Sequence, residues 1–367
     1  MALTIYIKPT NFCSVGCEHC YLPEEDRKNN FVMTDETLQK AALLIVDLVK
    51  KEGHAGAHII WHGGEPLMLE PDWFWNAGKI LDKIIGKNNY TESLQTSLIP
   101  YKGKWKELIE IKFNSFIGSS IDFSQRKVKN NSDSYLTLWM KRVNRARADG
   151  FYIVPGMVPT KNEIKNGKQI VDWFAKNDFQ EFNIERYSRY GNSNVDWPSN
   201  KEHSEFLKEI FIALMDRVKN NENTPYVTVI ASAIKGVLFS QSGERWGGQC
   251  QKQFIVIEPD GSTNTCPDRA MHEKPFSNVN NGTSAFTSSE GRKKWIRIQN
   301  IDHKKSHCMS CEFQSWCKSG CPVTPNGADD GEKECSGYKT LLYFIKEFCN
   351  NEENRKAAIE YISFLNK

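Results

Sequence analysis

Cys13, Cys17 and Cys20 put three thiols within eight residues, in the stretch NFCSVGCEHCYL at 11–22. Thiolates ligate iron–sulfur clusters, and a four-iron cluster normally takes four of them. Three local cysteines leave one iron without a protein ligand. An open metal position admits a substrate or cofactor, by the logic of an open catalytic zinc site. A structural zinc site that borrows its fourth ligand from elsewhere is the plainer reading of the same spacing. The stretch WHGGEP at 61–66 adds to the chemistry. Gly63 and Gly64 leave room for a ligand against the backbone. Glu65 supplies a carboxylate that accepts charge-assisted hydrogen bonds from an ammonium group.

No cysteine falls between 21 and 249, and eight crowd into 250–349. Seven of them form an ordered series: Cys250, Cys266, Cys308, Cys311, Cys317, Cys321 and Cys335. A zinc ribbon built on Cys308 and Cys311 needs a second matching pair, which is absent. The eighth, Cys349, lies in the amphipathic stretch LLYFIKEFC and reads as a buried, inert thiol.

The elements that must position these groups follow from periodicity. Short apolar runs at 3–9, 57–62, 92–97, 113–121, 152–158 and 181–187 read as strands. Helical patterns lie between them, near 34–51, 71–86, 103–110, 133–149 and 166–177. The first has Thr34 as N-cap, and Leu38, Ala41, Ala42, Ile45 and Leu48 recur along one face. Alternating strands and helices of this length indicate βαβ units and a parallel sheet. Six units suggest an incomplete α/β barrel of the (β/α)6, TIM-like kind, with its active mouth at the strand C-termini. The cysteine loop and the Gly-Gly-Glu turn then fall together at that mouth.

Residues 201–240 read as a helical bridge of two helices, 241–336 as a cysteine-rich domain and 337–367 as a return to helix; the barrel takes 1–200. The cysteine-rich part opens with a β-hairpin signal, FIVIE and STNTC flanking Pro259-Asp260-Gly261.

The 367 residues carry a formal net charge of +3, with 39% hydrophobic and 11% aromatic residues. That supports a sizeable core, excludes global disorder and gives no electrostatic case for nucleic acid or an anionic membrane. No apolar stretch is long enough to span a bilayer, and MALTIYIKPT lacks the features of a secretory signal. A cytoplasmic location is expected, where cysteine-rich proteins bind metal rather than form disulfides.

With Cys-x3-Cys-x2-Cys after the first strand and Gly-Gly-Glu-Pro after the second, the chain resembles radical S-adenosylmethionine (SAM) enzymes. His19 fills a position where that family more often has tyrosine or phenylalanine, and the resemblance places its ring against adenine. It also implies that the open iron chelates the amino and carboxylate groups of SAM. Glu65 and the backbone of Gly63 and Gly64 would hold the methionyl ammonium. One electron from the cluster would cleave the sulfonium and release a 5′-deoxyadenosyl radical, the protein positioning the cofactor and excluding water. Gln95 in SLQTS and Ser120 in SSID match further SAM contacts, although Ser97-Leu98 replaces the usual Asn-Gly and Asp122 lacks the Gly-Pro that commonly follows. At the end of the sixth strand, ERYSRYG puts Glu185, Tyr187 and Arg189 on one face and Arg186 and Ser188 on the other. Ser188 aligns with a backbone contact to SAM; otherwise these polar residues solvate a strand end.

The later cysteines resemble the SPASM extension of that family, named for subtilosin, pyrroloquinoline quinone, anaerobic sulfatase and mycofactocin maturation. The resemblance implies two auxiliary [4Fe-4S] clusters, three clusters in all. Cys308, Cys311, Cys317 and Cys335 would hold one. Cys250, Cys266 and Cys321 would hold the other, nearer the active site. Related sulfatase maturases have a fourth cysteine shortly before Cys250 and an aspartate directly after the match to Cys266, as general base. Here SQSGERWGGQC has no other cysteine, and Pro267 precedes Asp268. The last cluster then has an open iron or a non-cysteine ligand, and Asp268 is either the base or a loop residue.

These features imply an oxidoreductase acting on a peptide or small protein, with a reductant such as flavodoxin or ferredoxin. The first expectation is a maturase that cross-links side chains of a ribosomally made peptide, through carbon–carbon or thioether bonds. The alternatives are oxidation of serine or cysteine to formylglycine, and a non-catalytic iron–sulfur protein. With the first strand read at 3–9, no leader-binding segment is expected before the barrel. Leader recognition is therefore expected from a separate protein or from the SPASM region.

Overall fold

In the strand Leu3–Ile7 (β1) every second residue is buried, so Leu3, Ile5 and Ile7 face the core while Thr4 and Tyr6 face the other way. Ala57–Trp61 (β2) repeats the pattern, and Tyr90–Thr96 (β3) and Phe116–Ser120 (β4) continue the series. The computed structural model describes residues 1–186, 197–248, 250–267, 274–298, 306–324 and 334–363. These form two compact units. The first draws on residues 1–153 and 250–296, the second on the other described residues. The units cut across the segments 1–200, 201–240, 241–336 and 337–367 drawn from sequence.

In the first unit, β1, β2, β3 and β4 lie side by side in parallel, in chain order. Helices Asp35–Glu52 (α1), Pro71–Ile84 (α2) and Lys106–Lys112 (α3) connect them, and Ser132–Ala148 (α4) follows β4. Sequence dictates α1 closely. The Thr34 hydroxyl accepts the Thr37 N–H at 3.1 Å, the five expected apolar residues are buried, and Gly53 ends the helix in a left-handed conformation at φ 73°.

The strand Tyr152–Met157 (β5) begins in the first unit and continues in the second. There it pairs in parallel with Glu181–Ile184 (β6), which pairs in parallel with Tyr226–Val227 (β7). Gly167–Lys176 (α5) connects β5 to β6. Asn200–Lys219 (α6) and Thr228–Phe239 (α7) supply the helical bridge. The C-terminal stretch forms two helices, Lys339–Phe348 (α8) and Glu352–Ile362 (α9), where one was expected. The six expected βα strands are thus β1 to β6.

Sequence missed one partner. Phe254–Ile257 (β8) forms the expected hairpin with Ser262–Asn264 (β9), and Ser277–Asn278 (β10) extends it. The other edge of β8 runs parallel to β1, Ile5 opposite Ile255. The unbroken apolar run FIVI fits a strand buried on both faces, but its partner lies some 250 residues away and leaves no local signal.

This pairing is closed by a buried ion pair. Lys8 is fully buried; its Nζ lies 2.7 Å from Glu258 Oε1 and 4.7 Å from the ring centroid of Tyr21. Burial, the largest single influence, lowers a lysine pKa, yet Glu258 and Tyr21 together outweigh it and the Lys8 pKa is raised. Lys8→Met strands a carboxylate in the core and is expected to cost about 3–5 kcal/mol. Lys8→Met/Glu258→Met should recover part of that loss in anaerobic urea unfolding followed by tryptophan fluorescence. Strictly additive losses would mean that the two residues do not act as a pair.

Candidate active site

The cysteine loop leaves the end of β1 and is laid against the turn after β2. Gly64 N–H donates to Thr10 O at 3.0 Å and Glu65 N–H to Phe12 O at 2.9 Å. The approach is so close that only glycine fits. A Cβ on Gly64 would lie 2.1 Å from Asn11 O, and one on Gly63 would lie 2.4 Å from Thr10 O. Gly63 also holds φ at 126° and donates its N–H to His62 Nδ1 at 2.7 Å. What these glycines admit is therefore the backbone of the cysteine loop, where sequence reasoning expected a ligand.

Glu65 is buried and its carboxylate is fully engaged. Oε1 accepts from the Thr96 hydroxyl at 2.5 Å and Leu67 N–H at 3.0 Å; Oε2 accepts from Ser97 N–H at 2.7 Å and from the Ser97 hydroxyl. Burial pushes the carboxyl up from its ordinary range while the four donors pull it back. The carboxylate thus joins the end of β2 to the end of β3. Leu98, the next residue, is buried with φ at 60°, a left-handed conformation uncommon for leucine. It stands where the resemblance leads one to expect glycine.

The other first-unit candidates gather on neighbouring strand ends. Gln95 Nε2 donates to Ser120 Oγ at 3.0 Å, and a Cβ on Gly118 would meet Gln95 Oε1 at 2.2 Å. The Ser120 carbonyl accepts from the Tyr135 hydroxyl at 2.7 Å. His19 is buried with Nε2 3.5 Å from Asp122 Oδ2. Burial, helped by the charge of Arg126, lowers its pKa to about 3, so the ring is neutral at pH 7. Ser188 and Asp268 lie outside the described residues.

Arg126 gave no sequence signal. A two-residue antiparallel pairing sets Gly16–Cys17 against Arg126–Lys127, and Lys127 Nζ bonds Glu18. Arg126 Nε lies 2.6 Å from Asp122 Oδ2 and its Nη1 3.3 Å from Cys17 Sγ. Burial pushes the Cys17 thiol up to about 11, with Arg126 pulling the other way, and pushes Cys13 up to about 12, with Glu65 adding to the rise. Cys13 responds to the charges of both Cys17 and Cys20. The three thiols therefore share one electrostatic environment.

Two of the later cysteines belong to the first unit: Cys250 opens a short helix, Cys250–Gln253, and Cys266 follows β9. The other six belong to the second unit. Cys311 N–H donates to Cys308 O at 3.2 Å, and Gly320 N–H donates to Cys317 O at 3.1 Å. Burial and the charge of Cys335 push Cys317 up to about 12; Cys317 also feels Cys311, and Cys335 feels Cys308. These couplings link Cys311 and Cys335 to Cys317, and Cys308 to Cys335. Gly337 packs beside them, where a Cβ would lie 2.7 Å from Cys317 Sγ. Cys349 is buried at the end of α8, its pKa raised by burial.

No protein-family model matches the chain. A protein of Archaeoglobus fulgidus described as uncharacterized is 22% identical over 334 residues, covering 87% of this chain and 74% of that protein. Among solved structures, native anSMEcpe with bound AdoMet is 20% identical with a TM-score of 0.76, covering 97% of this chain and 99% of that one. Streptococcus suis SuiB bound to precursor peptide SuiA is 15% identical with a TM-score of 0.62, covering 88% and 72%. The likeness is one of fold, extending over nearly the whole of this chain and of the anSMEcpe structure.

Among the described residues, no three His, Cys, Asp or Glu side chains are disposed to hold a single metal ion. The donor set nevertheless suits a cluster: three thiols within eight residues, with a guanidinium against one of them that favours its thiolate form. Because the loop depends on the glycine contact, Gly64→Ala is expected to lose iron from this site. Gly156→Ala, where nothing lies within 4 Å of the added Cβ, should keep it. Iron and sulfide per chain after anaerobic reconstitution decide the point; full iron content in Gly64→Ala would refute the packing argument.

Proposed function

We propose that this protein is a radical SAM enzyme that modifies a ribosomally made peptide, with Cys13, Cys17 and Cys20 holding the SAM-binding [4Fe-4S] cluster. The carrying observation is the interlock of the cysteine loop, the Gly63-Gly64 turn and the Glu65 carboxylate at the ends of parallel strands. With SAM bound and one electron delivered, such a cluster supplies a 5′-deoxyadenosyl radical that takes a hydrogen atom from substrate. Flavodoxin or ferredoxin would supply the electron.

The residues of this chain bind, orient and exclude water. Because the Glu65 oxygens already accept four bonds, backbone carbonyls of the Gly63–Gly64 turn are the better acceptors for the methionyl ammonium. Gln95 and Ser120, paired with one another, present one edge of the cofactor site, and neutral His19 offers a ring face for adenine. Ser188 is proposed as a further contact. Arg126 donates to Cys17, stabilising its thiolate form. Cys308, Cys311, Cys317 and Cys335 are proposed to hold one auxiliary cluster, and Cys250, Cys266 and Cys321 a second. The enzyme is proposed to be cytoplasmic; no helix among the described residues is long and apolar enough to cross a membrane.

The product proposed first is an intramolecular side-chain cross-link, carbon–carbon or thioether. Its support is the missing fourth cysteine before Cys250 and Pro267 in the place of an aspartate. SuiB, bound in its structure to a precursor peptide, shares the fold. Formylglycine formation from serine or cysteine is the second reading, favoured by the likeness to anSMEcpe over nearly the whole of both chains. Leader recognition is assigned to a separate protein or to the SPASM region.

Tandem mass spectrometry of the peptide encoded beside this gene, co-expressed anaerobically, separates the two. Loss of two hydrogens with a stretch that resists fragmentation is expected; an aldehyde at one former serine or cysteine, with normal fragmentation, would establish the second reading instead. In that case Asp268→Asn should abolish turnover, and unaltered turnover would remove Asp268 as the base.

A further inference from the structure

Within the second unit, beyond the C-terminal ends of β5 and β6, lies a cavity of about 810 Å³. Its volume suits a ligand rather than a few waters. One wall is the start of α6, where the Ser199 hydroxyl accepts the Glu202 N–H and the Glu202 carboxylate accepts the Ser199 N–H. The end of this 20-residue helix contributes positive partial charge.

A second observation points to an anion. Arg186 lines the same cavity and is 5% exposed. Its Nη2 donates to Pro198 O and lies 3.5 Å from Asn200 Oδ1, while Nε and Nη1 are buried outside hydrogen-bond geometry, with the Tyr338 phenol the neighbouring polar group. Leaving two guanidinium nitrogens unpaired in the interior is costly. The carboxylates around the cavity have partners of their own, although the Glu202 charge also acts on Arg186. Glu202 caps the helix, Glu205 lies 3.5 Å from Lys208 and Glu209 accepts the Gly167 N–H at 3.2 Å. Lys165 and Lys201, both exposed, add positive charge at the lining, and Trp197 and Phe206 add apolar surface. A guanidinium fork, a helix N-terminus and two lysines together match a carboxylate flanked by apolar groups.

We propose that this cavity binds an acidic segment of the peptide substrate, one carboxylate seated on Arg186 and the start of α6. The inference rests on the peptide substrate assigned above. A free anion such as phosphate shares the chemistry, so the test separates the two. Fluorescence anisotropy of fluorescein-labelled hexaglutamate amide with the full, cluster-reconstituted chain should show salt-dependent binding, with hexalysine amide as the control of opposite sign. Lys165→Glu/Lys201→Glu, surface changes that leave the fold intact, should weaken hexaglutamate at least about tenfold by like-charge repulsion, and Arg186→Gln should weaken it too. Reductive SAM cleavage without peptide should be unchanged in the lysine variant. Absence of hexaglutamate binding, equal binding by the lysine variant, or displacement by inorganic phosphate as effective as by unlabelled hexaglutamate would overturn the proposal. Loss of SAM cleavage by the parent chain with binding intact would overturn the proposed reaction and leave this site standing.

Discussion

The buried carboxylate of Glu65 is the constraint on which the candidate site depends. An ionised carboxylate in the interior costs several kcal/mol unless its lone pairs are filled. Here two backbone N–H groups and two hydroxyls fill them, drawn from the turn after β2 and the end of β3. The same residue's N–H holds Phe12 O, and its neighbour Gly64 holds Thr10 O. One dipeptide therefore fixes the cysteine loop against two strand ends. The arrangement works only in the observed register, with Trp61 opposite Leu94. A one-residue slip would turn Thr96 away from Glu65.

A second layer of charge closes around the first. Arg126 links Cys17 to Asp122, Asp122 faces neutral His19, and Lys8 ties the end of β1 to Glu258 beyond β8. In the Arg126–Asp122 and Lys8–Glu258 pairs a cation shielded from solvent is matched to a buried carboxylate, so each specifies geometry more than it adds net stability. The group of Cys308, Cys311, Cys317 and Cys335 in the second unit rests instead on short turns and on Gly337, whose lack of a side chain leaves room for Cys317 Sγ.

Local signals in the sequence carried much of this. Thr34, the apolar face of α1 and the alternation in β1 and β2 are readable because each depends on neighbours within one or two turns of chain. The cysteine spacings and the Gly-Gly-Glu turn were readable for the same reason. What escaped was non-local. The parallel seat of β8 beside β1, the Lys8–Glu258 pair and the contact of Arg126 with Cys17 join residues 109 or more positions apart. Ser97-Leu98 looked like a loss against the family pattern. In the structure Ser97 gives two of the four bonds to Glu65, and Leu98 takes the left-handed conformation that glycine would occupy without strain. Gly63 and Gly64 were read as space for a ligand, because sequence does not say which backbone fills the space a missing Cβ leaves.

The account stands or falls on whether the Cys13, Cys17 and Cys20 site binds and reductively cleaves SAM. The direct measurement is 5′-deoxyadenosine and methionine formed by the anaerobically reconstituted chain with SAM and dithionite, beside a Cys13→Ala/Cys17→Ala/Cys20→Ala variant that keeps the later cysteines. The account predicts both products, in equal amounts, from the parent chain and none from the variant. No 5′-deoxyadenosine from a parent chain carrying its full complement of iron would contradict it, and would leave an iron–sulfur protein without radical chemistry.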